Sequence, residues 1–277
     1  MIMKKVRPAA VAGSWYPASA TELEAAVDAH LARATVGQAA GDLVALVVPH
    51  AGLTYSGPVA AYAYRLLALS SFESAVLVGP SHFVGFDGVA LYPAGAFDTP
   101  LGVVEIDERL AARLLDASPV VQVHAAPHAR EHSLEMQLPF LRRLAPSMRI
   151  VPMLMGYQTP ETAEALAAAM VKAFAGESVL LIASTDLSHH YDAQTAHRLD
   201  SVVIDAIEHL DADTLQRALD VRPDHACGGG PTVAVMKAAR ALGASASSIL
   251  RYGDSGDVSG DKSGVVGYLA AALRRVA

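Results

Sequence analysis

Four short apolar runs constrain the fold of this chain more than any other feature. They occupy residues 43–48, 74–78, 149–155 and 179–183, and each ends in glycine or polar sequence. Their apolar residues are continuous instead of alternating with polar ones, which is typical of strands buried on both faces of a sheet. Helical patterns lie between them, at 58–69, 108–117, 133–144 and 160–174. This alternation predicts an α/β fold, in which a mostly parallel central sheet has helices on both faces.

Weaker patterns extend this prediction to both ends of the chain. Helices are predicted at 20–34 and 232–242, and further strands at 88–92 and 248–252. No linker-like or repeated segment interrupts the 277 residues, and 52% of them are hydrophobic, which is enough for a large core. We therefore expect a single domain that spans residues 1–277.

Composition and charge restrict the classes of partner. The net charge is -7 and lysine and arginine are not clustered, so we expect neither nucleic acid nor an anionic membrane as a partner. The chain lacks an apolar run of roughly 18 residues, the length that a transmembrane helix requires. The N-terminal segment also lacks the apolar core of a signal peptide. These observations predict a cytoplasmic location.

Several coordinating side chains come directly after predicted strands. His50 follows the first apolar run, His82 follows the second, and Asp186, His189 and His190 follow the fourth. Ligands of open α/β sheets bind at the carboxyl ends of the strands, so these side chains are expected at one edge of the sheet. Imidazole is a common ligand for zinc, copper and iron. The pattern therefore indicates a metal site.

Cys227 is the only cysteine, so no internal disulfide can form. Three glycines and Pro231 follow it, and they lead into the predicted helix at 232–242. We expect the glycines to let the backbone approach a ligand, and the helix N-terminus to favour the thiolate that binds metals. Two imidazoles and a thiolate would leave a coordination position open, as in catalytic sites. A blue-copper protein uses similar ligands but conflicts with the α/β prediction. The alternative is a cysteine that is simply buried.

Five other residues are candidates for the site, and three of them also have a structural interpretation. Asp186 is a candidate to orient a histidine of the site, to cap a helix that begins near Ser188, or to do both. His189 or His190 is a candidate general acid or base. His132 is either part of the site wall or a capping residue of the following helix. Trp15, the only tryptophan, is either an aromatic wall of a pocket or a plug in the core.

Six motifs in this order resemble those of the Memo family, which is known in bacteria and archaea as AmmeMemoRadiSam system protein B. They are GSWYP at 13–17, PHAGLTYSG at 49–57, GPSHF at 79–83, EHSLEMQLPF at 131–140, STDLSHH at 184–190 and HACGGGP at 225–231. The resemblance covers nearly the whole chain. It implies the fold of LigB-type class III extradiol dioxygenases, which hold iron(II) with two histidines and a glutamate.

The resemblance also implies roles for individual residues. His50 and His82 match the two histidine ligands, and Cys227 stands where the dioxygenases have glutamate. His189 resembles their acid/base residue, with Asp186 and His132 beside it. Where the animal member has a tryptophan after its aspartate–histidine motif, this chain continues from His189 into His190 and Tyr191, so the sequence leaves open which histidine faces the metal. The remaining candidate pocket residues are Trp15, His190 and Tyr55.

Three functional hypotheses follow. The first is a metal-dependent redox enzyme with one iron(II) or copper ion, as the links of the family to those metals imply. The second is a non-catalytic scaffold that binds a peptide or metabolite in the same pocket, as the link of the animal member to phosphotyrosine peptides implies. The third is a zinc hydrolase, which we favour less. Expected partners are a small-molecule or peptide ligand and, as the bacterial family name implies, AMMECR-type and radical-SAM proteins.

Overall fold

The computed structural model describes residues 5–37 and 40–276. Within them the strands are β1 (Val6–Arg7), β2 (Asp42–Val48), β3 (Ser74–Pro80), β4 (Val89–Leu91), β5 (Ala96–Phe97), β6 (Val104–Glu105), β7 (Val121–Val123), β8 (Arg149–Met155), β9 (Val179–Ser184), β10 (His189–Tyr191), β11 (Ala246–Asp254) and β12 (Val265–Arg275). The α-helices are α1 (Ala20–Arg33), α2 (Leu53–Tyr64), α3 (Glu108–Ala117), α4 (Leu138–Leu144), α5 (Pro160–Phe174), α6 (Ala193–Glu208), α7 (Ala212–Val221), α8 (Gly229–Ala241) and α9 (Gly256–Ser259).

A nine-stranded sheet forms the centre of the fold. Its order is β10-β12-β2-β9-β3-β8-β4-β7, and β11 pairs with β12 outside this path. The four predicted apolar strands, β2, β9, β3 and β8, are neighbours and parallel, as their sequences predict. On either side of them the pairing becomes antiparallel, between β2 and β12 and between β8 and β4. The sheet is therefore parallel in its core and mixed overall. Strands β1, β5 and β6 form a separate small sheet.

Helices cover both faces of the large sheet, which confirms the α/β prediction. Alternate residues of β3 belong to different cores: Val76 and Val78 pack on the face that carries α3, α5, α6, α7 and α8. Ala75 and Leu77 pack on the face that carries α1, α2 and α4. Because both faces are covered, β3 is buried along its full length, which is why its apolar run is uninterrupted.

Two predicted helices have different bounds in the structure. The helix predicted at 58–69 begins at Leu53 and continues after Tyr64 as a 3-10 turn to Leu69, so Pro58 lies inside it instead of at its start. The helix predicted at 133–144 begins only at Leu138, after a 3-10 turn over Glu135–Gln137. The single domain over 1–277 stays a prediction, because residues 1–4, 38–39 and 277 lie outside the described ranges. No helix within those ranges is long and apolar enough to cross a bilayer.

Candidate metal centre

Strand order explains why the coordinating side chains meet. Strand β9 lies between β2 and β3 and is parallel to both, with Val48 opposite Ser184. His50, His82 and Asp186 each follow their strand by two residues, so the three loops leave the same edge of the sheet side by side. The expectation that these segments converge is met by the geometry.

Three imidazoles form the centre of the site. His50, His82 and His132 each offer a ligand atom, and these atoms lie within 4.8 Å of one another. The His82 and His132 rings are stacked, with centroids 4.6 Å apart, and both rings meet His50 edge-on, at 5.2 and 5.5 Å. This group could hold a metal ion. His132, which the sequence suggests as a wall residue, is thus a third candidate ligand.

Hydrogen bonds orient two of these rings. Nδ1 of His50 lies 2.9 Å from Oγ of Ser184, which itself donates to the carbonyl of Ser133. Nδ1 of His82 lies 2.9 Å from Oε1 of Glu131. Oε2 of the same carboxylate accepts a hydrogen bond from the His82 amide at 2.6 Å. Both contacts leave Nε2 available for a metal, which is the usual way in which outer partners fix a ligating histidine.

The electrostatics of the cluster favour neutral imidazoles, the form that binds metal. Burial, together with the nearby His82, lowers the pKa of His50 to about 3. Burial and the neighbouring His50 lower the pKa of His132 to about 4. Burial by itself raises the pKa of the Glu131 carboxyl, but hydrogen bonds from His82 and Ser133 outweigh it and bring this pKa down to about 2. Glu131 is therefore a carboxylate at neutral pH.

Cys227 lies beside His50 in the structure. Its Sγ is 3.2 Å from Nε2 of His50 and accepts from the amide of Asp186 at 3.3 Å. Desolvation and the nearby Asp186 carboxylate raise the pKa of the Cys227 thiol well above its ordinary value. This shift opposes the expected preference for the thiolate at the helix N-terminus. A bound cation would have to displace the thiol proton.

Two of the glycines after Cys227 leave no room for a side chain. A Cβ at Gly228 would lie 2.4 Å from the carbonyl oxygen of Ser184, and one at Gly229 would lie 2.6 Å from the Leu219 side chain. The amides are also occupied: those of Gly228 and Gly230 donate to Oγ1 of Thr185 and Oε1 of Gln158. Close packing therefore requires glycine at these two positions, and Gly229 and Gly230 also line a cavity of about 280 Å³ together with Cys227.

The Asp186 carboxylate accepts hydrogen bonds from backbone amides of the loop that carries His50, and it does not cap a helix. Its Oδ1 accepts from the amides of His50, at 2.7 Å, and Ala51, at 3.3 Å. The helix expected near Ser188 begins instead at Ala193 and is capped by Asp192, because residues 189–191 form β10 against β12. The sequence hypothesis that Asp186 orients an imidazole is replaced by a direct contact with the loop that carries His50.

Of the two adjacent histidines, His189 is the one close to the site. Burial lowers its pKa, the Asp186 carboxylate opposes that shift, and the nearby His82 lowers the pKa further. His190 is exposed and adopts the left-handed conformation, with φ at 66°. This conformation is uncommon for residues other than glycine, although histidine is among those enriched in it. The two rings still meet edge to face, with centroids 5.9 Å apart.

Aromatic residues border the cluster. Trp15 is 37% exposed, and its ring centroid lies 4.1 Å from that of His132, so it is a wall of the site and not a plug in the core. Phe83 is 51% exposed and meets His132 edge-on at 5.9 Å. Tyr55 is 43% exposed and lines a separate cavity of about 140 Å³ together with His30 and Arg251.

The segment that carries Trp15 is fixed by a buried ion pair. Nη1 of Arg7 lies 2.6 Å from Oε2 of Glu135, and the two side chains are 3% and 0% exposed. The same carboxylate accepts from the hydroxyl of Tyr16 and from the amides of Ala10 and Val11.

Sequence reasoning assigned no role to Glu131 or Glu135. Both residues stand in the EHSLEMQLPF motif. Charged residues at the start of an apolar helix could have indicated that these two carboxylates are buried and have partners.

Comparison with known proteins identifies the family. The family model described as Memo-like protein matches residues 7–272. The chain belongs to the Memo family. A MEMO1 family protein of Ignicoccus hospitalis is 38% identical, with 96% of this chain and 97% of that protein covered. One from Methanopyrus kandleri is 39% identical, with coverages of 97% and 99%. An uncharacterized protein of Escherichia coli K12 shares the fold, with a TM-score of 0.53, 16% identity and coverages of 84% and 100%.

The donor set of this Memo protein fits a metal ion. His50 and His132 are neutral and lie close to His82, and a thiol adjoins the cluster. Nδ1 of His132 is buried and forms no hydrogen bond within the described residues, although it lies 3.4 Å from Oε1 of Glu131. A buried nitrogen without a partner is costly, and an ion or its bound water would relieve that cost.

Proposed function

We propose that this Memo protein is a redox enzyme that depends on a single iron(II) or copper ion. The ligands would be Nε2 of His50, Nε2 of His82 and Sγ of Cys227. The observation that carries the proposal is the distance of 3.2 Å between the sulfur and Nε2 of His50. Ligands at about 2.3 Å and 2.0 Å from one tetrahedral ion lie roughly 3.5 Å apart, so Cys227 and His50 would need little movement to share one.

The donor types support the choice of metal. Thiolate and imidazole together suit copper, iron and zinc, whereas magnesium and calcium prefer oxygen. When bound, the ion would supply a redox centre with an open position for a small molecule. His132 would remain next to that position, because its ligand atom lies within 4.8 Å of those of His50 and His82.

His189 would accept protons beside the metal, and Asp186 would position the loop that carries His50. Burial lowers the pKa of His189, so its imidazole is neutral at pH 7 and free to accept a proton. Burial raises the pKa of Asp186, while the amides of His50 and Ala51 stabilise its charged form. Asp186 would thereby hold the His50 loop in place while His189 accepts a proton from the bound substrate.

A second candidate function is a binding scaffold, and the exposed aromatic rings favour it. Trp15 and Phe83 are 37% and 51% exposed and flank His132. Such rings are common anchors for a peptide or small-molecule ligand. In that case the histidines would bind the ligand or a structural ion, and no turnover would occur.

Oxygen uptake tests the proposal. The protein would be loaded with iron(II), copper or zinc in separate samples, with catechol and cysteine as probe substrates. We expect uptake with iron or copper and none with zinc. A His189→Gln variant should retain metal and lose about 10²- to 10⁴-fold in rate, the usual contribution of a general base.

Three outcomes would argue against the redox proposal. Full loading with iron and copper but no uptake with either probe would favour the scaffold. Hydrolysis by the zinc form alone would favour a zinc hydrolase. An unchanged rate in His189→Gln would remove His189 from the proton transfer.

A further inference from the structure

A second cavity, of about 780 Å³, lies at the opposite edge of the large sheet. It is formed where β2 begins, between that strand, the 3-10 turn after α2 and the end of β12. His50 lies eight residues after Asp42 along β2 and its loop, a span of roughly 25 Å in an extended chain. The cavity is therefore remote from the metal centre. Its lining includes Gly41, Leu43, Leu66, Ser70, Phe72 and Arg274.

Arg274 is the buried charged group of this cavity, and it has no counter-ion among the described residues. Its side chain is buried, with the residue only 7% exposed, although arginine is almost never buried without a partner. Nη1 donates to the carbonyl of Gly41 at 3.2 Å, and Nε has no hydrogen-bond partner among the residues that the structure describes. Within those same residues, no carboxylate oxygen comes within 4.0 Å of the guanidinium. Asp42 lines the cavity but forms no such pair.

Burial without a counter-ion leaves the charge of this arginine uncompensated. Desolvation lowers the pKa of Arg274, and no described carboxylate opposes that effect. A guanidinium stays charged in proteins even so, because its ordinary pKa is very high. A buried charge with a single carbonyl partner is costly, whereas a carboxylate or phosphate can accept two parallel hydrogen bonds from the planar group.

We propose that Arg274 anchors a binding site for the carboxylate or phosphate group of a small metabolite in this cavity. A volume of about 780 Å³ is in the range of pockets that hold metabolites. The neighbouring Arg275 offers a matched control, since it is exposed, points to the other face of the sheet and donates to the carbonyl of Leu242 at 2.7 Å.

The test is titration of the full chain with inorganic phosphate and, separately, succinate. Calorimetry and thermal unfolding would be measured against sodium chloride of equal ionic strength. We expect saturable binding of at least one anion and a rise in the unfolding temperature of about 2–4 °C. Arg274→Met should weaken binding at least about tenfold, and Arg275→Met should leave it unchanged. The preferred probe tells phosphate from carboxylate as the recognised group.

The readouts also separate an anion site from a structural arginine. Without anion, Arg274→Met should unfold at a temperature equal to or above that of the wild type, because an uncompensated charge has been removed. If this variant does not fold, Arg274→Lys replaces it and should bind more weakly, because lysine lacks the planar fork. Absence of binding to both probes, or equal loss of binding in the Arg275→Met control, would overturn the proposal. Metal content should not change in either variant.

Discussion

Replacing Glu135 by glutamine is expected to lower the free energy of unfolding by about 3–5 kcal/mol, since breaking a buried ion pair leaves an uncompensated charge. Arg7 would be left with neutral acceptors, including the carbonyls of Pro8, His128 and Glu131, in a site where its side chain is 3% exposed. The hydroxyl of Tyr16 and the amides of Ala10 and Val11 would also lose a charged acceptor. No other substitution considered has a larger expected effect on stability.

Chemical denaturation measures this effect, and fluorescence locates it. Trp15 is the only tryptophan and lies one residue before Tyr16, so its emission reports on the segment that Glu135 holds. We expect a red shift in Glu135→Gln as Trp15 leaves His132. Glu164→Gln is the matched control, because its partner Lys237 is on the surface and Glu164 is 66% exposed. A loss in Glu135→Gln no greater than in that control would contradict this account.

The second large effect is expected at Glu131. Glu131→Gln should weaken metal binding by about 10- to 100-fold, the usual cost of removing a group that orients a ligating histidine. The carboxylate accepts from the amides of His82, His132 and Ser133, and it contacts Nδ1 of His82 at 2.9 Å. The NH₂ group of a glutamine would face one of these N–H donors and could not accept its hydrogen bond. Without the carboxylate, the His82 tautomer that leaves Nε2 free would no longer be favoured.

Competition with a chromophoric chelator measures the affinity of each variant. Glu108→Gln is the control, because Glu108 accepts from the amide of Gly95 and lies outside the histidine cluster. The unfolding temperature of the metal-free forms would be measured in parallel. If Glu131→Gln loses stability but binds metal as tightly as the wild type, Glu131 supports the loop and not the ligand.

The sequence predicted the part of the site that depends on strand ends. Uninterrupted apolar runs indicated parallel strands, and parallel strands place His50, His82 and Asp186 at one edge. Strand β12 was missed, because its segment LAAALRR is rich in alanine, which has no strand preference and resembles a helix. The antiparallel margin beside β2 was missed for the same reason, since β12 pairs with β2 and β11.

Contacts between distant segments could not be predicted from local pattern. Asp186 lies 136 residues from the amide it binds, and Glu131 lies 49 residues from His82. The surroundings of Cys227 were equally hidden, because the fold supplies Thr185 and Gln158 as acceptors for the helix amides and desolvates the sulfur. Only the fold shows which polar groups already have partners.

Elemental analysis of protein purified without added metal tests the central claim most directly. It would compare the wild type with His50→Ala, Cys227→Ser and His209→Ala, the last changing an exposed histidine at the end of α6. The account predicts close to one iron or copper ion per chain in the wild type and in His209→Ala, almost none in His50→Ala, and a clear loss in Cys227→Ser. Equal metal in the wild type and His50→Ala would contradict the site, and full iron or copper in Cys227→Ser would exclude the sulfur as a ligand.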